Sequence, residues 1–179
     1  MQTELERLSE LRRGRHSEVF LFGKYAIKVF NRKYLYNFYK EAKFLTLLQP
    51  FNFVPKIYFI DFEDLKIVME RVFGEYIVDR FEKEVIDRCL WICYFLDSIG
   101  IQKEEMANPR KHILVSNSRV YFIDFERSVI TGNPSNLTQF CSFLMKFGVE
   151  IPTEILKSYK RERNYEKFLK IRNSVLSFL

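Results

Sequence analysis

Two short apolar runs, each closed by a single charge, constrain this chain more than anything else in it. They are Tyr25-Ala26-Ile27-Lys28 near the start and Tyr121-Phe122-Ile123-Asp124-Phe125 two-thirds of the way along. Both read as strands, rich in aromatic and β-branched residues. A charge at the end of a buried strand is costly unless a counter-charge or a metal ion meets it. A fold carrying Lys28 and Asp124 in this way must supply each with a partner.

A chain of 179 residues can build one domain with a substantial core, or two small lobes sharing a cleft. The 19 Phe and 10 Tyr, set against 6 Gly and 5 Pro, indicate a packed chain rather than a linker or disordered tail. The apolar run Leu90–Leu96 falls far short of the roughly 20 residues that span a bilayer, so no membrane segment is expected. The polar, acidic start Met1–Arg7 lacks the basic-then-apolar order of a secretory signal, and a cytoplasmic location is expected. Three cysteines, an odd number, point to reduced thiols. Cys89 and Cys93 could share a helical face, but their apolar neighbours read as core packing and no structural zinc is expected. The net charge of +6 is compatible with phosphates, RNA or acidic protein and selects none of them. The basic run Lys157–Arg163 reads first as a solvated helical face and second as a nucleic-acid patch.

Residues 8–30 alternate as three short strands, Leu8–Arg13, Ser17–Phe22 and Tyr25–Phe30, turning at Gly14 and Gly23. From Arg32 to Leu48 the period becomes helical, with Glu41 in the middle and Pro50 closing the segment. Strands at Val54–Asp61 and Leu65–Met69 follow, turning at Glu63-Asp64. Residues 82–99 carry a helical apolar stripe that Gly100 would end. Next come an irregular loop, strands at His112–Val115 and Val120–Asp124 around a turn at Asn117-Ser118, and a helical last third capped at Ser135 or Asn136.

Ala26-Ile27-Lys28 followed by a helix bearing Glu41, with Ile123-Asp124-Phe125-Glu126 further on, resembles the protein-kinase-like superfamily. Within it the chain is most similar to the RIO family and to short archaeal serine/threonine kinases. The resemblance covers about residues 8–145. It implies an α+β bilobal kinase-like fold: a small antiparallel-sheet N-lobe over residues 1–70 and a reduced, mostly helical C-lobe over 71–179. It implies ATP and Mg2+ as cofactors, with Lys28 on the phosphates, Glu41 paired to Lys28 and Asp124 on the metal. An edge-strand lysine and an aspartate capping a turn are the plainer readings of Lys28 and Asp124. Gly14 and Ser17 fall in what resembles a glycine-rich loop with only its middle glycine, a stretch that an ordinary hairpin turn explains equally well. Arg12, Arg13, Arg15 or His16 could add charge there. Val19 and Ala26 join the cofactor-binding set, and Met69-Glu70-Arg71-Val72 resembles the hinge, with Glu70 and Val72 offering backbone groups to adenine and Met69 lining the pocket. A strand running into a turn would look the same.

The sequence departs from the family between Gly100 and Val115, where no aspartate occurs. Counting forward puts Glu105 in the place of the catalytic aspartate, and counting back from Ile113 puts His112 in the place of the metal-binding asparagine. Asn108 is the better magnesium ligand by chemistry, His112 by position. Glu105 could accept the substrate proton, or stand as a solvated loop charge. The 55 residues after Asp124 contain no Ala-Pro-Glu, which implies that the peptide-docking part of a conventional protein kinase is missing. The resemblance therefore implies an ATP- and Mg-dependent phosphotransferase or ATPase, with a protein substrate or partner and an RNA-associated complex as candidate company. The alternative is a nucleotide-binding pseudokinase that acts as a switch or scaffold. A small-molecule kinase ranks third, because the second half is short for a substrate pocket.

Overall fold

Side-chain alternation organises the first half of the chain. The computed structural model describes residues 10–179, so the beginning of the first expected strand, Leu8 and Ser9, and the polar start Met1–Arg7 lie outside the described residues. The chain divides into two compact units, one ending at Gly74 and taking in Tyr121–Arg127, the other formed by Glu75–Val120 and Ser128–Leu179.

Among the described residues the first unit holds a five-stranded antiparallel sheet of β1 (Glu10–Arg13), β2 (Ser17–Phe22), β3 (Tyr25–Phe30), β4 (Ile57–Asp61) and β5 (Lys66–Glu70). Its order is β1-β2-β3-β5-β4, which makes β3 an interior strand. Ala26, Lys28 and Phe30 share the buried face of β3, and Lys28 pairs with Val19 on one side and Ile67 on the other. Gly23 at φ 51° supplies the left-handed residue that the two-residue β2–β3 turn requires. Helix α1 (Leu35–Leu48) follows a single 3₁₀ turn at Arg32–Tyr34, whose Lys33 amide is capped by Asn31 Oδ1 at 3.1 Å. Phe38, Ala42, Leu45 and Leu48 recur at helical spacing and are buried, each large side chain stabilising the unit by roughly 1.5–3 kcal/mol. Glu41 lies in that same buried set.

The strand expected from Val54 begins only at Ile57. The Gln49 side chain explains the difference: it donates to the Pro55 carbonyl at 3.0 Å and accepts from the Ile57 amide at 2.9 Å, taking up backbone groups that a strand would use.

The second unit packs α2 (Lys83–Ser98) against α3 (Asn136–Lys146) and α5 (Tyr165–Phe178), with α4 (Thr153–Arg161) beside α5. The apolar stripe of α2 is buried as its period requires, and Gly100 follows it at φ 74°. Cys89, Cys93 and Cys141 are buried free thiols, and burial pushes all three up. The short strands β6 (Glu75–Tyr76), β8 (Ile113–Ser116) and β9 (Arg119–Phe122) form one sheet, β7 (Ile101–Gln102) and β10 (Val129–Ile130) another. The turn between β8 and β9 places both Asn117 and Ser118 at positive φ. The two-residue strands are too short to leave an alternating pattern in sequence. The basic run from Lys157 lies largely on α4, where Tyr159 faces inward and is fully buried. No helix among the described residues is long and apolar enough to cross a membrane.

Asp97 holds this unit together at its centre. Its Oδ1 accepts from the Asn136 amide at 2.8 Å and from Asn136 Nδ2 at 2.7 Å, and its Oδ2 from the Leu137 amide at 3.2 Å and the Tyr159 hydroxyl at 3.0 Å. The start of α3 therefore receives a buried carboxylate from α2, while Ser135, one of the two expected caps, holds the N-cap position without a side-chain capping bond. Asn136 passes the connection on: its Oδ1 accepts from the Lys103 amide at 2.8 Å and its Nδ2 donates to the Ile101 carbonyl at 2.7 Å. Burial raises the Asp97 carboxyl above its ordinary value, against the pull of these hydrogen bonds. Replacing Asp97 by Ala should cost about 3 kcal/mol in urea unfolding at neutral pH, because the cap and its buried donors lose their acceptor together. A raised folded-state value adds stability that is complete below the unfolded carboxyl and lost as pH rises, so the gap between the two proteins should widen as pH falls from 7 toward 4.

Candidate functional site

An ammonium group on an interior strand can be tolerated only if opposite charges and hydrogen-bond acceptors surround it. Lys28 meets this with three carboxylates: Nζ lies 3.3 Å from Glu41 Oε1, 3.1 Å from Asp124 Oδ1 and 3.2 Å from Glu126 Oε2. Burial alone would push the lysine down, but Glu41, Asp124 and Glu126 together hold it above its ordinary value. Glu41 is supplied by the buried face of α1, and Asp124 and Glu126 by the segment just after β9. The three differ in exposure. Glu41 and Glu126 are buried, whereas the Asp124 side chain keeps 37% of its surface accessible. Asp124 also stands at φ 65°, a left-handed backbone that aspartate adopts more readily than most residues.

Glu126, which occupies the position of a glycine in the resembled motif, is the member of this cluster to which no local sequence pattern gives a role. It contacts Lys28, takes His16 Nδ1 at 2.5 Å on its other oxygen, and accepts from Asn37 Nδ2 at 3.3 Å on its backbone carbonyl. An acidic residue two places after Asp124 is the only sequence signal that could have marked it. His16 lies in the turn between β1 and β2. Within that turn the Gly14 amide donates to the Ser17 carbonyl at 2.9 Å, and a Cβ on Gly14 would stand 3.1 Å from that carbonyl oxygen. Glycine is needed here for close approach, not for a left-handed backbone.

Ala26 and Met69 are ladder partners across β3 and β5, and both are buried. Glu70 ends β5; its amide donates to the Lys56 carbonyl at 2.8 Å and its carboxylate accepts from the Lys56 amide at 3.2 Å. Val72 follows in a stretch without regular structure.

Glu105, Asn108 and His112 belong to the second unit, in the loop between β7 and β8. The structure brings two of them together: Glu105 Oε2 lies 3.1 Å from His112 Nε2. Asn108 closes the turn through its amide, which donates to the Glu105 carbonyl at 2.9 Å. Glu105 sits at φ 68°, a conformation that costs a non-glycine residue on the order of 1–2 kcal/mol and persists where the surroundings enforce it. Those surroundings are visible: Met106 is fully buried, Lys146 Nζ donates to the Ala107 carbonyl at 3.1 Å, and the Arg110 guanidinium lies over the Phe147 ring.

No family model matches the sequence. The chain is 33% identical over 85 residues to the probable serine/threonine-protein kinase BUD32 homolog of Archaeoglobus fulgidus, covering 48% of this chain and 42% of that protein. It is 32% identical over 90 residues to an uncharacterized protein of Methanocaldococcus jannaschii, covering 50% of this chain and 72% of the other. Among solved structures it resembles WbdD in complex with the kinase inhibitor LY294002, at TM-score 0.67 and 20% identity over 93% of this chain and 45% of that one. It also resembles the Rio2 kinase of Chaetomium thermophilum in its ADP/Mg2+-phosphoaspartate complex, at TM-score 0.61 and 17% identity over 96% of this chain and 66% of that one. The chain has a protein-kinase-like fold of the atypical, RIO-like kind. It matches less than half the length of the BUD32 homolog and of WbdD.

In this kinase-like chain the groups around Lys28 are oxygen donors, the kind that a hard divalent cation takes. Among the described residues no three His, Cys, Asp or Glu side chains gather to hold an ion by themselves. Magnesium does not need such a cage, since it is commonly bound by one or two carboxylates, with phosphate oxygens and water completing its shell. Removing the central cation should be felt even without ligand. Lys28→Met leaves Glu41 and Glu126 buried without that ammonium, and urea unfolding should show a loss of about 3 kcal/mol. An unchanged midpoint would mean that the three carboxylates do not depend on Lys28.

Proposed function

We propose that this chain binds ATP with magnesium at Lys28 and Asp124 and transfers phosphate, as a minimal kinase-like phosphotransferase or ATPase. The observation that carries the reading is the unequal grip on Lys28. Three carboxylates lie within 3.3 Å of its ammonium, yet one of them, Asp124, is solvent-accessible. A phosphate that approaches Lys28 can displace Asp124 while Glu41 and Glu126 keep the ammonium in place. Asp124, displaced from Lys28, would then take a magnesium ion. When bound, magnesium neutralises charge on the β and γ phosphates. Lys28 then holds the α and β phosphates, Glu41 orients Lys28, and the turn around Gly14 and Ser17 covers the phosphates.

A triphosphate brought to Lys28 also meets Glu41, Asp124 and Glu126, so nucleotide binding should depend strongly on the metal. Adenine would lie near Val19, Ala26 and Met69, with backbone groups of Glu70 and Val72 as its hydrogen-bond partners. Glu105 is the residue that would take the proton from the phosphate acceptor, and its contact with His112 would fix the direction of its carboxylate. That contact also gives His112 a role as a positioning residue, which leaves Asn108 as the loop's oxygen donor for a metal. The likeness to the BUD32 homolog and to Rio2 supports a protein acceptor.

A second reading, a nucleotide-binding switch without turnover, is favoured by the absence of an aspartate between Gly100 and Val115. The two readings separate in one experiment. Mg-ATP at 100 times its dissociation constant should stabilise the protein by about 2.7 kcal/mol, seen as a raised melting temperature, and Asp124→Ala should remove the magnesium-dependent part. Radiolabelled phosphate transfer should fall about 10²- to 10⁴-fold in Glu105→Gln while the thermal shift remains. Binding with background turnover that Glu105→Gln leaves unchanged would establish the switch. No shift at a large excess of Mg-ATP would exclude both.

A further inference from the structure

Glu126 joins three separate pieces of the first unit. One carboxylate oxygen meets Lys28 on β3 at 3.2 Å, the other meets His16 in the β1–β2 turn at 2.5 Å, and its backbone carbonyl accepts from Asn37 on α1 at 3.3 Å. Only 8% of the residue is exposed, so the carboxylate is fixed rather than waving in solvent. His16 is held from other sides as well: its carbonyl accepts from the Asn31 amide at 3.3 Å, and its ring packs edge-on against Tyr34 with centroids 4.4 Å apart. A glycine at position 126 could make neither side-chain contact.

We propose that Glu126 and His16 form a latch that fixes the β1–β2 turn for phosphate binding, replacing with a side-chain contact the order that the turn's single glycine does not provide. The proposal rests on Lys28 being the phosphate-binding lysine. A turn that must be ordered when a ligand arrives lowers affinity by the entropy of that ordering, and a turn already fixed does not. Glu126 also keeps its hold on Lys28 when Asp124 lets go, so one carboxylate sets the turn and the ammonium at the distance a phosphate must bridge. Glu126 and His16 are positioning residues in this scheme, and the ligand they serve is the phosphate portion of a nucleotide.

The consequence runs against intuition: Glu126→Gly, which restores the residue of the kinase motif, should weaken binding. Dissociation constants of Mg-ADP and of adenosine, measured by calorimetry on the full chain, test it. Glu126→Gly and His16→Ala should each weaken Mg-ADP about tenfold, leave adenosine within about twofold, and in the double variant weaken Mg-ADP no more than the stronger single change. Hydrogen exchange at residues 14–17 should accelerate in both single variants while β3 and α1 stay protected. Glu126→Gln, which keeps the shape of the side chain, should lie between wild type and Glu126→Gly. Wild-type-like Mg-ADP affinity in Glu126→Gly or His16→Ala, additive losses in the double variant, or an equal loss for adenosine would overturn the latch. A wild-type protein that binds no Mg-ADP would instead overturn the nucleotide reading beneath it.

Discussion

A lysine ammonium enclosed by Glu41, Asp124 and Glu126 is the constraint on which the first unit depends. Taking Lys28 out of water costs several kcal/mol, and the structure recovers that cost only by gathering three carboxylates around the ammonium. Each partner comes from a different local rule. The helical period of α1 turns Glu41 inward with Phe38, Ala42 and Leu45. The end of β9 delivers Asp124, and two residues further on Glu126 turns back toward the same lysine. The unit is arranged around a charge that a purely apolar core would not contain, which is a physical reason to seek its purpose in binding.

The second unit has its own polar centre in Asp97. One carboxylate caps α3, anchors Tyr159 and, through Asn136, sets the backbone from Ile101 to Lys103. The segment bearing Glu105 thus leaves from a rigid base. The left-handed backbone at Glu105 and its contact with His112 are tolerable because that base and the buried Met106 leave the loop little choice. Both centres show the same economy: a buried charge persists where several groups need it at once.

Much of the fold was legible because its periods are strong. The ranges Ser17–Phe22 and Tyr25–Phe30 match the observed strands, and the apolar stripe of residues 82–99 matches α2 closely. Legibility failed where a side chain replaced a backbone rule. Gln49 delays β4, Asp97 supplies the capping bonds that the Ser135 side chain does not make, and strands of two residues leave no alternation to read. At the site, the spacing of Lys28, Glu41 and Asp124 could be read from local motifs. The role of Glu126 could not, because its partners His16 and Lys28 lie 110 and about 100 residues away in sequence, and a glycine-for-glutamate departure reads as a loss until the contacts are seen. The Glu105–His112 pair leaves no signal for a related reason: the two residues stand seven apart in a loop without regular period.

The enclosed ammonium can be observed directly. In protein labelled with ¹⁵N-lysine, an exposed lysine exchanges its Nζ protons too fast to be seen near neutral pH, whereas a buried, fully bonded one is protected. Lys28 should therefore give a protected ammonium signal that disappears in Lys28→Met and shifts when Mg-ADP is added, as Asp124 gives way to phosphate. A spectrum with no protected lysine signal, or one that Mg-ADP leaves unmoved while the nucleotide is bound, would contradict the claim that Lys28 is held by carboxylates and handed to phosphate.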